Sequence, residues 1–181
     1  DNATQFGLQT VKTMAERRDA AGGKIIAAVN ADFFDWSPVS GRPWGPVVVE
    51  EAVVKNFIKE GIGVTTYFGV KKDGSLSIDL TSSLSAADYN SFSNMTGGGT
   101  NLLYLRGAPR VYNDVVREPR TMIGYTSDKK VYLVLVDGRR PGYSVGMTID
   151  ELIAVMKSLG IYSATNLDGG GSSTMVLKNN D

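Results

Sequence analysis

The sequence predicts a single mixed α+β domain: a largely antiparallel, strongly twisted sheet system that carries one strand, helix, strand crossover. Three observations point there. The 181 residues, 42% hydrophobic and 21% charged, suffice for one packed core and are too few for two independent ones. Two hairpin signals, 71–74 with its Asp-Gly and 127–130, sit between apolar β segments. An amphipathic helix with a full capping signature lies between two further apolar segments near the C-terminus. No repeat, low-complexity tract or linker breaks the chain, so residues 1–181 are read as one domain.

Val11, Met14, Ala15 and Arg18 recur at helical spacing and Gly22-Gly23 stops the run, which predicts a helix over 9–21. Residues 24–29 read as a buried strand that delivers Asn30-Ala-Asp32-Phe-Phe-Asp35 at its carboxyl end. The turn cluster Gly41-Arg-Pro-Trp-Gly45 leads into short β segments at 46–49 and 52–54. Segments 64–70 and 76–80 flank the first hairpin turn, 85–88 forms a short helix or turn, and 96–100 introduces the apolar 102–105. Segments 120–125 and 131–136 bracket the second hairpin turn. Thr148 as N-cap and Glu151 three residues later start a helix over 148–159, with the stripe Ile149, Leu152, Ile153, Met156 and Leu159 and a stop at Gly160. A strand at 161–167 follows, and 174–177 reads as another. Joined by that helix, strands 131–136 and 161–167 run parallel through a right-handed crossover. Asp137-Gly-Arg139 and Asp168-Gly-Gly-Gly171 then leave the same carboxyl edge, where open α/β sheets keep their ligands.

Composition narrows the chemistry. Nineteen Lys and Arg balance 19 Asp and Glu, so no global field draws nucleic acid or an anionic membrane, and any electrostatic function is local. The longest apolar run, Val131–Val136, is six residues, far short of a bilayer span, and Asp1 opens the chain without a basic-then-apolar leader, as in a mature or trimmed soluble body. With no Cys and no His, disulfide frameworks, the usual zinc sites and every Ser-His or Cys-His mechanism are removed. Carboxylates, Arg, Lys, hydroxyls and backbone amides remain. Zero Cys suits a secreted bacterial protein and a cytosolic one equally.

The 21 Gly exceed the usual share of about 7% without any period, so the excess marks particular loops. Asn166-Leu-Asp168-Gly-Gly-Gly171-Ser172-Ser173 is the most unusual: successive amides there turn toward one point and bind an anion, or the loop is a tight bend that Asp168 caps. It lacks the Lys of a P-loop. Arg120 and Arg139 reaching one cleft would suit a phosphate or carboxylate; singly, each is an ordinary surface ion pair. Asn30 and Asp32 alternate at a strand end, as Asn166 and Asp168 do, with Phe33 and Phe34 read as core. Trp36 and Trp44 are sugar-stacking rings or half-buried packing. Asp32, Asp137 and Asp168 with Asn side chains would make an oxygen-rich cation site, though not at EF-hand spacing. Gly97 to Gly99 marks a bend or a close backbone approach.

Taken together, Asn30-Ala-Asp32-Phe-Phe, Gly41-Arg-Pro-Trp-Gly45, Gly97-Gly-Gly-Thr-Asn-Leu-Leu103, Pro119-Arg-Thr-Met-Ile-Gly124, Val136-Asp-Gly-Arg139, Gly146-Met-Thr-Ile-Asp-Glu-Leu152 and the Asp168 loop occur in an order that resembles the phosphodiester glycosidase family over residues 9–177. The resemblance implies hydrolysis of a glycosyl-1-phosphodiester, releasing a sugar from a phosphate-linked glycan such as a bacterial exopolysaccharide. Arg120, Arg139 and the amides of Gly169, Gly170 and Gly171 would meet the phosphate, with Thr121 and Ser172 as further substrate contacts. Asp168 would be the base or cation-stabilising carboxylate, and Asn30, Asp32 and Asn166 would hold sugar hydroxyls or water. Asp137 would orient Arg139 or, like Asp32, supply a second catalytic carboxylate. No cofactor is required on this reading, and the partner is a phosphorylated carbohydrate met outside the cytoplasm. Two alternatives stay open: metal-assisted phosphodiester hydrolysis on a divalent cation, and a non-catalytic glycan-binding or cell-envelope domain. The chain departs from the family in three places. Glu118 stands where His often precedes Pro-Arg-Thr, Glu51-Ala52 stands where a turn is often Asn-Gly, and Asp181 ends the chain where relatives continue, so the domain is expected to be incomplete at its C-terminal end.

Overall fold

A computed structural model of the chain describes residues 6–36 and 41–178. Its strands form two five-stranded antiparallel sheets and a two-stranded ribbon, as the sequence predicts. Helix α1 (Val11–Arg18) starts on Thr10, whose hydroxyl accepts from the Thr13 N–H at 3.1 Å. It ends at Arg18 and passes into a π turn at Asp19–Gly23, so the regular helix is shorter than 9–21. β1 (Ala27–Val29) pairs with β12 (Met175–Leu177) in the ribbon. It is half-buried, not buried, and Ile26 beside it is 77% exposed. The apolar run from 24 fits a buried strand, but β1 pairs with one strand and meets α1, a helix none of whose own residues is buried.

The first sheet, in the order β3-β2-β6-β4-β5, contains β2 (Val47–Val49), β3 (Ala52–Lys55), β4 (Thr66–Lys71), β5 (Leu76–Leu80) and β6 (Phe92–Gly97). Val48, Tyr67, Tyr89, Phe92 and Met95 pack as its core. The turn joining β2 to β3 lies at Glu50 and Glu51, with φ of 48° and 69°, one residue earlier than Glu51-Ala52. Left-handed backbone at both positions twists with the strands. The Glu50 N–H is held by the Asn94 side chain at 3.1 Å.

The second sheet, in the order β10-β9-β11-β7-β8, contains β7 (Leu102–Leu105), β8 (Ala108–Pro109), β9 (Arg120–Tyr125), β10 (Val131–Val136) and β11 (Ser163–Asn166). Helix α2 (Ile149–Ser158) carries the predicted capping box: the Glu151 N–H donates to the Thr148 hydroxyl at 3.1 Å and the Thr148 N–H to the Glu151 carboxylate at 2.9 Å. Its Ile149, Leu152, Ile153 and Met156 are buried against Leu103, Met122 and Ala164. β10 and β11 each run antiparallel to β9, so they are parallel to one another, as expected, with β9 between them. That order sets the edge where function is sought. Val136 pairs with Arg120 and Asn166 with Met122, so the carboxyl ends of β10 and β11 and the amino end of β9 share one edge. Among the described residues, no helix is long and apolar enough to cross a membrane.

Candidate active site

The exits of β1 and β11 are stitched together at that edge. The Leu167 N–H donates to the Thr121 carbonyl and the Asp168 N–H to the Ala31 carbonyl, both at 2.8 Å. Asn30 braces the junction: its Nδ2 donates to the Asp168 carbonyl at 2.7 Å, and its Oδ1 accepts from the Thr121 hydroxyl at 2.8 Å and the Thr174 N–H at 3.0 Å. Asn30 and Thr121 are thus engaged in hydrogen bonds within the protein.

The Asp168 carboxylate accepts from the Gly169 N–H at 2.8 Å. Burial pushes its pKa above the ordinary carboxylate value, while hydrogen bonds from Ser172 and the Gly169 N–H pull the other way. The Gly170 N–H goes to the Pro119 carbonyl at 2.9 Å, and Gly170–Ser172 close a 3₁₀ turn. Two of the three Gly amides are therefore spent inside the protein, so the expected convergence of all three on an anion gives way to a braced bend. Arg139 lies across that bend: a Cβ on Gly170, whose φ is +59°, would fall 3.1 Å from the Arg139 Nη2. The Arg139 Nε donates to Glu118 at 2.5 Å, and this pairing lowers the Glu118 pKa. Asp137 does not orient Arg139. Its Oδ1 accepts from the Gly138 N–H at 2.9 Å and its Oδ2 lies 3.5 Å from Arg140. Glu118 takes that role.

The two arginine forks take different partners. Residues 120 and 121 alternate across β9, which separates Arg120 from Thr121. The Arg120 Nε donates to the Met147 carbonyl at 3.1 Å, and its Nη2 to Asp114 at 3.1 Å and the Val116 carbonyl at 3.0 Å. It lines a cavity of 390 Å³ with Asn101, Tyr112 and Asp114. Asp114 also accepts from the Ile149 N–H at 2.9 Å, and backbone donors from Ile149 and Val116 hold its pKa down.

Asp32 occupies the other side of the Asp168 junction. Its Oδ2 accepts from the Gly45 N–H at 2.5 Å, and its Oδ1 is buried with no partner in the protein. Burial pushes its pKa up to about 7; the Gly45 N–H and the Lys55 ammonium pull down, and the Asp168 charge pushes up. Gly97, at the end of β6, explains how the carboxyl fits, since a Cβ there would lie 2.3 Å from the Asp32 Oδ2 and 2.8 Å from the Gly45 Cα. The expected close backbone approach is thus where the chain admits Asp32. Asn166 donates through Nδ2 to the Leu167 carbonyl at 2.7 Å and leaves a buried, unpartnered Oδ1. Phe33 stacks on Trp44 at 5.1 Å, whereas Trp36 is 85% exposed. Packing thus accounts for Trp44, whereas Trp36 tilts against Phe34 at 5.9 Å and keeps most of its surface exposed.

Among the described residues, no three His, Cys, Asp or Glu side chains form a group able to hold a metal ion, so Asp32, Asp137 and Asp168 do not assemble into the cage their types suggested. Two residues here were not read as site residues from the sequence. Glu118 had a signal, its place directly before Pro-Arg-Thr. Lys55, at the end of β3, had none: a Lys closing an apolar β run reads as a solvated end, yet it is 2% exposed.

A family model described as phosphodiester glycosidase matches residues 23–181. The catalytic domain of zebrafish N-acetylglucosamine-1-phosphodiester alpha-N-acetylglucosaminidase, auto-inhibited by its pro-peptide, superposes with a TM-score of 0.76 at 26% identity, over 93% of this chain and 57% of that one. A hypothetical protein from Synechocystis superposes with a TM-score of 0.63 at 16% identity, over 97% of this chain and 51% of the other, which shows likeness of fold. The chain thus spans little more than half the length of either structure. No curated protein sequence matches it significantly.

Proposed function

The chain belongs to the phosphodiester glycosidase family, and from that premise we propose that it hydrolyses a glycosyl-1-phosphodiester and releases a sugar from a phosphate-linked glycan. One observation carries the reading: two carboxyls with raised pKa, Asp32 and Asp168, flank one stitched junction, and an arginine fork lies across the adjoining Gly bend. Glycoside hydrolysis uses two carboxyls in distinct protonation roles, and environments that shift their affinities for the proton assign those roles.

In the reaction the bond from the sugar C1 to the phosphate oxygen breaks, the sugar becomes oxocarbenium-like, and the leaving phosphate takes the electron pair. Water adds at C1 and loses a proton. Asp168 faces the developing cation. Asp32, titrating near neutrality, takes the proton from water. Arg139, fixed through its Nε by Glu118, presents its remaining N–H groups to the phosphate. Arg120 braces the wall of the neighbouring cavity and Asn30 braces the junction. The exposed Trp36 ring offers a sugar-stacking face. This sequence of steps calls on no cofactor, and its setting is extracytoplasmic, which a chain without Cys tolerates.

The test is a panel of glycosyl-1-phosphodiesters incubated with the protein, with free reducing sugar as readout. Release that Asp168→Asn abolishes is expected. A folded protein that releases sugar from no member of the panel would overturn the proposal.

A further inference from the structure

A buried ammonium stands behind Asp32. The Lys55 Nζ donates to the carbonyls of Trp44 at 3.0 Å, Gly45 at 2.9 Å and Phe57, so all three of its protons are engaged. It also lies 4.2 Å from the centroid of the Phe57 ring. Taking a lysine this far from water is costly, and an apolar residue would close the same space at lower cost. The geometry says what the charge does there. The Trp44 carbonyl and the Gly45 N–H belong to one peptide unit. Lys55 brings its charge to the oxygen end, which also accepts from the Lys59 N–H at 2.8 Å, and the nitrogen end donates to the Asp32 Oδ2 at 2.5 Å. A positive charge on the carbonyl polarises the unit, strengthens the N–H as a donor and fixes its plane.

We propose that Lys55 is a positioning residue for Asp32, acting through the Trp44–Gly45 peptide, so that the place of the carboxyl and the hold on its proton are both set from behind the cleft. This rests on the reading of Asp32 as the second carboxyl of the site. Burial raises the Asp32 pKa to about 7, with the Gly45 N–H, the Lys55 charge and the Phe33 N–H pulling down and the Asp168 charge pushing up. Lys55 in turn is pushed down to about 8 by burial, with Asp32 pulling up, Arg42 pushing down and Asp35 pulling up. Removing the ammonium therefore raises the Asp32 midpoint further, away from the neutral range in which proton transfer works best.

The test follows the Asp32 carboxyl carbon by NMR across the pH range in the whole chain, assigned with Asp32→Asn. Lys55→Gln keeps a donor for the Trp44 carbonyl and deletes the charge; Lys55→Met deletes both. In each, the Asp32 midpoint should rise by at least about one pH unit, more in Lys55→Met, and the acid limb of kcat/KM should move with it. An Asp32 midpoint that stays put in a folded variant overturns the inference. Should neither variant fold, the unmodified protein decides: the Lys55 side-chain nitrogen, the Gly45 amide nitrogen and the Asp32 carboxyl carbon should share an inflection as Lys55 loses its proton. A Lys55 titration that leaves the other two unmoved overturns it equally. These spectra need no substrate, so a chain without glycosidase activity would count against the proposed function while the Asp32 midpoint still settled the role of Lys55.

Discussion

Helices α1 and α2 each pack on strands that lead into the same junction, α1 on the ribbon before Asn30 and α2 on the second sheet, and they do so by different means. α2 buries four of its ten residues and completes the core of the second sheet, whereas α1 buries none of its eight. Asp168 leaves the strand that α2 packs against; Asn30, Ala31 and Asp32 leave the ribbon beneath α1. The thin side is held in place by hydrogen bonds: Asn30 to Thr121, Thr174 and Asp168, and the Asp168 N–H to Ala31. Apolar burial thus supplies stability on one side, while polar stitching sets the geometry on the other.

The sharpest way to break that contrast is Leu152→Ala. Leu152 is fully buried under α2, and truncation should cost roughly 2–5 kcal/mol of unfolding free energy in a urea titration. Asp168→Asn should do the reverse. Turnover should fall by at least about a hundredfold, the contribution of a positioned acid or base, while the urea midpoint stays near that of the parent. Asn30→Ala should fall between the two, since it strands the buried Thr121 hydroxyl and the Thr174 N–H. We expect a loss of about 1–3 kcal/mol together with reduced turnover per folded molecule.

A pH series sharpens the comparison on the thin side. The Asp32 pKa is raised from 3.8 to about 7, so the folded state binds the extra proton between those values. The stability this supplies is fully present below about 3.8 and is lost as pH rises through about 7. Asp32→Asn should flatten that part of the stability profile, measured by urea unfolding at successive pH values. The smallest effect belongs to Met14→Ala on α1, at 51% exposure: a change within about 0.5 kcal/mol. A loss comparable to that of Leu152→Ala would erase the contrast between the helices.

What was legible in the sequence was local. The capping box and stripe of α2 lie within a dozen residues, and the Asp-Gly hairpin within four, so each element declares itself. The shared edge followed from connection rules, and the structure places Asp168 and Arg139 there together. What failed depends on partners chosen across the fold. The apolar stretch before Asn30 has the composition of a buried strand, yet its cover depends on one partner strand and α1. The β segments at 46–49 and 52–54 leave the turn at Glu50-Glu51, where it lies, whereas the comparison with the family's Asn-Gly turn set it at Glu51-Ala52, one residue late. Arg139 could have paired with Asp137 or Glu118, and only the folded backbone selects Glu118. Asp32, Asp168 and Arg139 were named from sequence and Lys55 was not, while Asn30, Thr121 and Arg120 hydrogen-bond to other parts of the protein.

The stitching at the junction also bears on the order in which the molecule comes together. Asn30 and Asp168 are 138 positions apart, and Asn30 and Thr121 are 91 apart. Closing loops of that length costs chain entropy before any contact offsets it, so connections of this kind are slow to form. The β4–β5 and β9–β10 hairpins need only short closures and precede them. The β1–β12 ribbon, which joins Ala27 to Leu177, is a closure of the same long kind, so on this argument the ribbon and the junction beside it condense together and after the local hairpins.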